Sequence, residues 1–415
     1  MVKLSVPDIL HSLVAKHRKD KRMKEREKVL EEKARRPKED AENALKMVDE
    51  SIIAAGKARR RARPFHLLIG PTNSAGQANQ WSRVLSRQGY PSQSLRISND
   101  VENEWFMSDL IIPRLTWTTL PGRTALARMI VSNYKGILIE SMRPLFSLHT
   151  LRDYSAFQTF DDIDLLKKSK VKVGIVFHGS DIRDTQAHAQ REMFSPYGTP
   201  STELTLLQSR AREFREAGRQ ASKMHIPVFV TTPDLLLDIP EAHWLPIVID
   251  VEHFVSAGRM RLPWSDKSPM KVLFQPSRGW LKSSAFVEPI LERLSNEGVI
   301  QLIPNDQIAH DLMADRMASA DLIIDRFDGI AGVTSMEALA VGRVVIANIA
   351  KWAYKGAEAT PPVLHATPDT LEATLRDVAL KREAFAWDTT KGLAYVQRWH
   401  DGRESAARIV KRLKL

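Results

Sequence analysis

The sequence predicts an α/β protein of two Rossmann-like domains facing across a cleft, with an extra N-terminal helical arm. Three observations predict it. At 415 residues the chain exceeds what one hydrophobic core usually serves, so two domains of about 150–200 residues plus an extension are expected. Beyond residue 64, short apolar runs alternate with stretches long enough for crossover helices, the pattern of buried parallel strands. The same alternation then restarts after a connector bearing LPWSDKS, so one architecture is used twice.

Residues 1–64 form the arm and its linker. They hold 19 Lys and Arg against 11 Asp and Glu, so most of the net charge of +11 sits here. Leu10, Leu13 and Val14 make an apolar stripe, mixed Lys and Glu continue to Pro37, and Ala44, Leu45, Val48, Ile52 and Ile53 make a second stripe. This spacing predicts helix over 5–55, and GKARRRARP at 56–64 reads as a linker. A segment this basic is either a solvated arm or a contact for something anionic, such as a membrane surface. Nucleic acid is disfavoured, because residues 1–64 contain no Phe, Tyr or Trp to stack on bases.

The first domain is expected over 65–262. His66–Ile69 reads as a strand, GPTNSAGQ as a turn-rich loop, and a helix starts near Ala78. Apolar runs at 93–97, 109–112, 136–139, 171–177, 227–231 and 246–249 read as further strands. The second domain, 263–386, repeats the scheme with strands 271–275, 299–303, 321–325 and 343–348 and helices 284–296, 306–318, 333–341 and 368–380. A helix over 387–413, within a final segment 387–415, is expected to cross back to the first domain.

Composition excludes several chemistries. With no cysteine there are no disulfides, thiolate nucleophiles or Cys-ligated metal centres. No uncharged apolar run reaches about 18 residues, and Asp8 and His11 interrupt any secretory core, so a cytoplasmic protein is expected.

In open parallel sheets ligands bind beyond the carboxyl ends of the strands, and four such loops stand out. Gly70–Gln77 offers small residues and helix-start amides to an anion or an acceptor hydroxyl, with Asn73, Ser74, Gly76 and Gln77 as candidates. His178-Gly179-Ser180-Asp181-Ile182-Arg183 places a histidine, an acid and a cation after a strand, with His178 and Asp181 as the candidate catalytic residues; Asp181 is also suited to head a helix. Arg278 and Lys282, four residues apart, suit a diphosphate clamp. In Asp325–Gly342 a glycine-bearing loop containing Asp328 leads into a helix whose start offers Gly332, Val333, Thr334 and Ser335, with Glu337 one turn on.

GVTSMEALAVGRVVIAN (332–348) resembles the donor-binding helix of family 4 glycosyltransferases of the GT-B fold. GPTNSAGQ, FHGSDIR, WLPIVID (244–250) and PSRGWLK resemble further family motifs in the same order, and together they cover roughly residues 65–400. The resemblance implies a GT-B transferase in which Glu337 binds the donor ribose, Arg278 and Lys282 the diphosphate, and His178 the transferred sugar. It further implies retention of configuration and no metal, with the cationic clamp and helix N-terminus stabilising the leaving diphosphate. No cofactor is expected beyond the nucleotide-diphosphate sugar as co-substrate, and the acceptor is a glycan, a lipid-linked intermediate or another hydroxyl. The chain departs from the family where a first glutamate stands eight residues before Glu337: Gly329 occupies that place and Asp328 is the nearest acid. A non-catalytic binding or assembly protein, a sugar-nucleotide epimerase and a phosphorylase on the same fold are the alternatives.

Overall fold

The computed structural model describes residues 43–98, 106–147, 155–199, 201–260, 264, 269–276, 284–306, 308–386 and 389–415. The chain divides into two compact units, 1–54 and 55–415. In the first, residues 43–54 are helical; the rest of the arm lies outside the described residues. In the second, residues 55–59 are helical, four of them in the stretch 56–64 predicted as a linker. Arg63 anchors the start of this larger unit: it is buried and donates to the carbonyls of Val131 (2.9 Å), Gly56 (2.8 Å), and Ser169 and Lys170 (2.7 Å each).

The larger unit holds two parallel sheets. The first contains β1 (Phe65–Gly70), β2 (Ser92–Ser98), β3 (Leu110–Pro113), β4 (Tyr134–Glu140), β5 (Lys172–Phe177), β6 (Val228–Val230) and β7 (His243–Trp244) in the order β3-β2-β1-β4-β5-β6-β7. The second contains β8 (Met270–Phe274), β9 (Ile300–Leu302), β10 (Leu322–Ile324), β11 (Val344–Ala347) and β12 (Leu364–His365) in the order β12-β11-β10-β8-β9. Both are covered on two faces, which is why their strands read as continuous apolar runs. In the second sheet Leu322, Ile324, Val272 and Ile346 pack on one side with Leu291 and Leu375, while Ile323, Leu273 and Val345 pack on the other with Phe254 and Leu339. Burying a side chain of this size contributes roughly 1.5–3 kcal/mol.

Three predicted elements differ. The run 246–249 pairs with no strand. Its backbone is held instead by Val248 N–H to Gln77 Oε1 (2.7 Å), Gln77 Nε2 to Val248 O (3.0 Å) and Ile249 N–H to His400 O (3.0 Å). The helix predicted over 306–318 shortens to Met313–Ala318, preceded by a 3-10 turn at His310–Leu312. The predicted 387–413 helix is two, Thr389–Trp399 and Arg403–Leu413, because Gly402 at φ 92° turns the chain between them. Val396 of the former joins the second domain's core, whereas Ala406, Ile409 and Leu413 of the latter pack with Trp81 and Leu85 of the first domain's helix Gln77–Arg87.

Candidate functional site

In the first sheet, strand order reverses direction between β1 and β4, and a crevice opens at such a point. β1 feeds the Gly70–Gln77 loop and β4 ends in Glu140, which has no exposed surface. Its carboxylate accepts the backbone N–H groups of Thr72 and Asn73 (2.7 Å each) and Ser74 (3.1 Å). The amides expected to serve an external anion or hydroxyl are therefore spent on an internal one. The loop's side chains are also committed. Asn73 Nδ2 donates to Met107 O (2.7 Å) and its Oδ1 accepts from Asn79 N–H (3.1 Å), Ser74 Oγ lies 2.9 Å from Thr72 Oγ1, and Gln77 clamps Val248. Of the four candidates, Gly76 and Gln77 line the open cleft, Gly76 with backbone only.

The His178 loop folds on itself. Asp181 accepts from Gly179 N–H (2.7 Å), His178 N–H (2.9 Å) and Ser141 Oγ (2.6 Å). It heads no helix; Asp184 does, accepting from Ala187 N–H at 3.0 Å. His178 Nε2 lies 3.0 Å from Glu140 Oε1, and its ring stacks near Trp81 with centroids 5.9 Å apart. Burial disfavours the imidazolium, but Glu140 and then Asp181 outweigh it, so the His178 pKa is raised.

In the second domain, Asp325 follows β10 and caps the next helix from the side, accepting from Gly332 N–H (2.9 Å) and Ser335 Oγ (2.7 Å). Ser335 is buried, so it and the Gly332 amide face the core of the loop, contrary to their expected place toward a ligand. Asp328 is also fully buried, with both oxygens held by Arg326, one of them at 2.5 Å from Nε. At Gly329 φ is 91°, and a Cβ there would lie 2.9 Å from Trp352. No glutamate fits at that position without rearrangement. Val333 and Glu337 reach the cleft, and Thr334 is half-buried in the same first turn. Arg278 and Lys282 lie outside the described residues.

The cleft between the domains holds a cavity of about 460 Å³, walled by Gly76, Gln80 and Arg83 on one side and by Phe254, His310 and Glu337 on the other. Its size suits a small-molecule ligand. Glu337, 4% exposed, accepts from His310 Nε2 at 2.7 Å, and the His310 ring sits between Phe106 (4.8 Å) and Phe254 (6.3 Å). Burial lowers the His310 pKa but the Glu337 hydrogen bond and charge prevail, so it is raised. Sequence reading missed His310 and Glu140, since neither sits in a motif; the one available signal for Glu140 was an acid at the end of an apolar strand.

The domains also touch beyond the cavity. His188 Nε2 lies 3.0 Å from Asp328 O, and Asn348 Nδ2 donates to Glu192 Oε1 at 2.9 Å. Burial, then the neighbouring Arg183, push the His188 pKa down to about 4, so this bridge is made by a neutral ring. Nearby, Arg183 pairs with Asp234 at 2.7 Å in the interior.

Two parallel-sheet α/β domains facing across a cleft constitute the GT-B fold. Solved structures share it. Sucrose-phosphate synthase from Thermosynechococcus elongatus superposes with a TM-score of 0.55 at 13% identity, covering 85% of this chain and 98% of that one. Anabaena HepE in complex with UDP and glucose gives 0.51 at 11% identity over 85% and 100%. A glycosyltransferase from Rickettsia africae gives 0.51 at 12% over 85% and 98%. At these identities the likeness is one of fold. No protein-family model and no curated protein matches the chain.

Proposed function

We propose that this chain is a glycosyltransferase that moves a sugar from a nucleotide-diphosphate donor to a hydroxyl of a glycan or lipid-linked acceptor, with retention and without a resident metal. The observation that carries the reading is a buried carboxylate, Glu337, opening from a helix start into an interdomain cavity of ligand size. A ribose diol donates to such a carboxylate, and the helix N-terminus favours the adjoining phosphates. Arg278 and Lys282 are assigned to the diphosphate by sequence and His178 to the transferred sugar; Anabaena HepE, solved with UDP and glucose, supports a nucleotide sugar as ligand. Among the described residues no helix is long and apolar enough to cross a membrane. The reading places the protein in the cytoplasm, with the basic arm holding it at the inner face of the plasma membrane.

One observation favours a second reading, a non-catalytic GT-B binding protein: Gly329 replaces the first acid and Asp328 is locked to Arg326. Incubation with a panel of nucleotide sugars and candidate acceptors, followed by mass spectrometry, decides. Release of nucleoside diphosphate with a glycosylated acceptor is expected. A new nucleotide sugar would indicate an epimerase, a sugar phosphate a phosphorylase, and binding without turnover the non-catalytic reading.

A further inference from the structure

Glu140 carries more charge-pairing than a loop brace needs. A fully buried carboxylate is costly unless its oxygens are bonded, and three amides of the Gly70–Gln77 loop already meet that need. Yet the same Oε1 that accepts from Ser74 N–H also lies 3.0 Å from His178 Nε2. Nε2 is itself buried and makes no hydrogen bond of good geometry, so its 3.0 Å approach to Glu140 is an ion-pair contact; the hydrogen bonds of His178 run through its backbone. Resting on the transferase reading above, we infer that Glu140 is the positioning residue of the sugar site: its buried carboxylate holds the His178 ring by an ion pair 3.0 Å from Nε2.

The surroundings agree. Asp181 and Arg143 are the other charged groups that act on the ring, in opposite senses, and the helix Gln77–Arg87 offers only the uncharged Trp81. The ring is also tied at its backbone, where His178 O accepts from Thr231 Oγ1 at 3.0 Å and His178 N–H donates to Asp181. Orientation is thus set from β4, from the loop itself and from the segment after β6. Burial disfavours the Glu140 carboxylate, but His178 and then the loop amides of Asn73 and Thr72 keep it ionised, and Glu140 in turn favours the charged form of His178. The raised pKa of His178 means that the imidazolium pair persists at low pH and is lost as pH rises through the folded-state value.

The test is the titration of His178 by NMR in the full-length protein, with His178→Gln for assignment, beside the pH profile of nucleotide-sugar turnover. In Glu140→Gln the His178 pKa should fall by about one unit or more, a tenfold change in the protonated ratio. The pH limb of turnover should move with it, while the KM for the donor changes little. Glu140→Asp keeps the charge but draws it back by one methylene, so a smaller fall is expected; this variant gives the comparison should the Gln variant not fold. An unmoved His178 pKa in folded variants would overturn the inference. If the wild-type chain turns over no donor, the transferase reading fails by itself, and the titration still decides whether Glu140 controls His178.

Discussion

Asp325 gives the sharpest stability prediction, because it holds the helix that carries Glu337. Replacing it with Ala removes the acceptor of the Gly332 N–H and of the Ser335 hydroxyl, and Ser335 is fully buried. Hydrogen bonds to a charged acceptor contribute about 1.5–3 kcal/mol each, and a buried donor left alone costs about 1–3 kcal/mol. Two such losses put the cost at about 3 kcal/mol. The larger unit has roughly 360 residues; at about 2.1 cal/mol/K per residue, this lowers Tm by about 4 °C. Differential scanning calorimetry measures it, and Asp325→Asn, which keeps one acceptor oxygen, should lose less. A Tm within about 1 °C of wild type for Asp325→Ala would show that the helix start is held by something else.

Four further outcomes rest on the same geometry. Glu337→Ala should weaken nucleotide-sugar binding by about 30- to 150-fold, the loss of about 2–3 kcal/mol of charged hydrogen bonding, and should lower the Tm at low pH, where its pair with His310 is formed; isothermal titration calorimetry checks the binding. Gly329→Ala should cost about 1–3 kcal/mol, since a side chain at positive φ meets Trp352, read as a lower Tm. Because the His310 pKa is raised, its pair with Glu337 stabilises the fold fully below the ordinary histidine value of about 6.5 and progressively less as pH rises through the raised value. His310→Ala should therefore flatten the Tm-against-pH curve above about pH 6. Arg183→Ala should destabilise by about 3–5 kcal/mol by leaving Asp234 buried and unpaired, and a double replacement by Leu should recover much of it; melting of the single and double variants checks both.

The strands were legible because both sheets are buried on two faces, so Ile323 and Ile324, which point to opposite sides, are equally apolar. That same logic misled at 246–249. Pro246–Ile249 has a strand's composition, but its backbone partners are the side chains of Gln77, His400 and Ser405 and the His400 carbonyl, which no local pattern reveals. At the candidate site, the helix that bears Glu337 was legible from its glycine-bearing start. The loop N–H groups were visible as unpaired donors, but not the acids that take them: Glu140 comes from a strand 66–68 residues later in sequence, and Asp325 acts from the preceding strand end. A Glu or Asp at a strand end looks like any solvated residue until topology places it. His310 was hidden because a single histidine in a short turn becomes a site residue only when Phe106 and Phe254 close around it.

The most direct measurement of the donor site is the melting temperature of the full-length protein across UDP, GDP, ADP, TDP and their sugars. A ligand at about 100 times its Kd stabilises the native state by about 2.7 kcal/mol, which is about 3–4 °C for a unit of this size. Such a rise is expected with one nucleotide family, and it should be abolished in Glu337→Ala. A folded protein that shows no rise with any of them at millimolar concentration would contradict the donor site in the interdomain cavity.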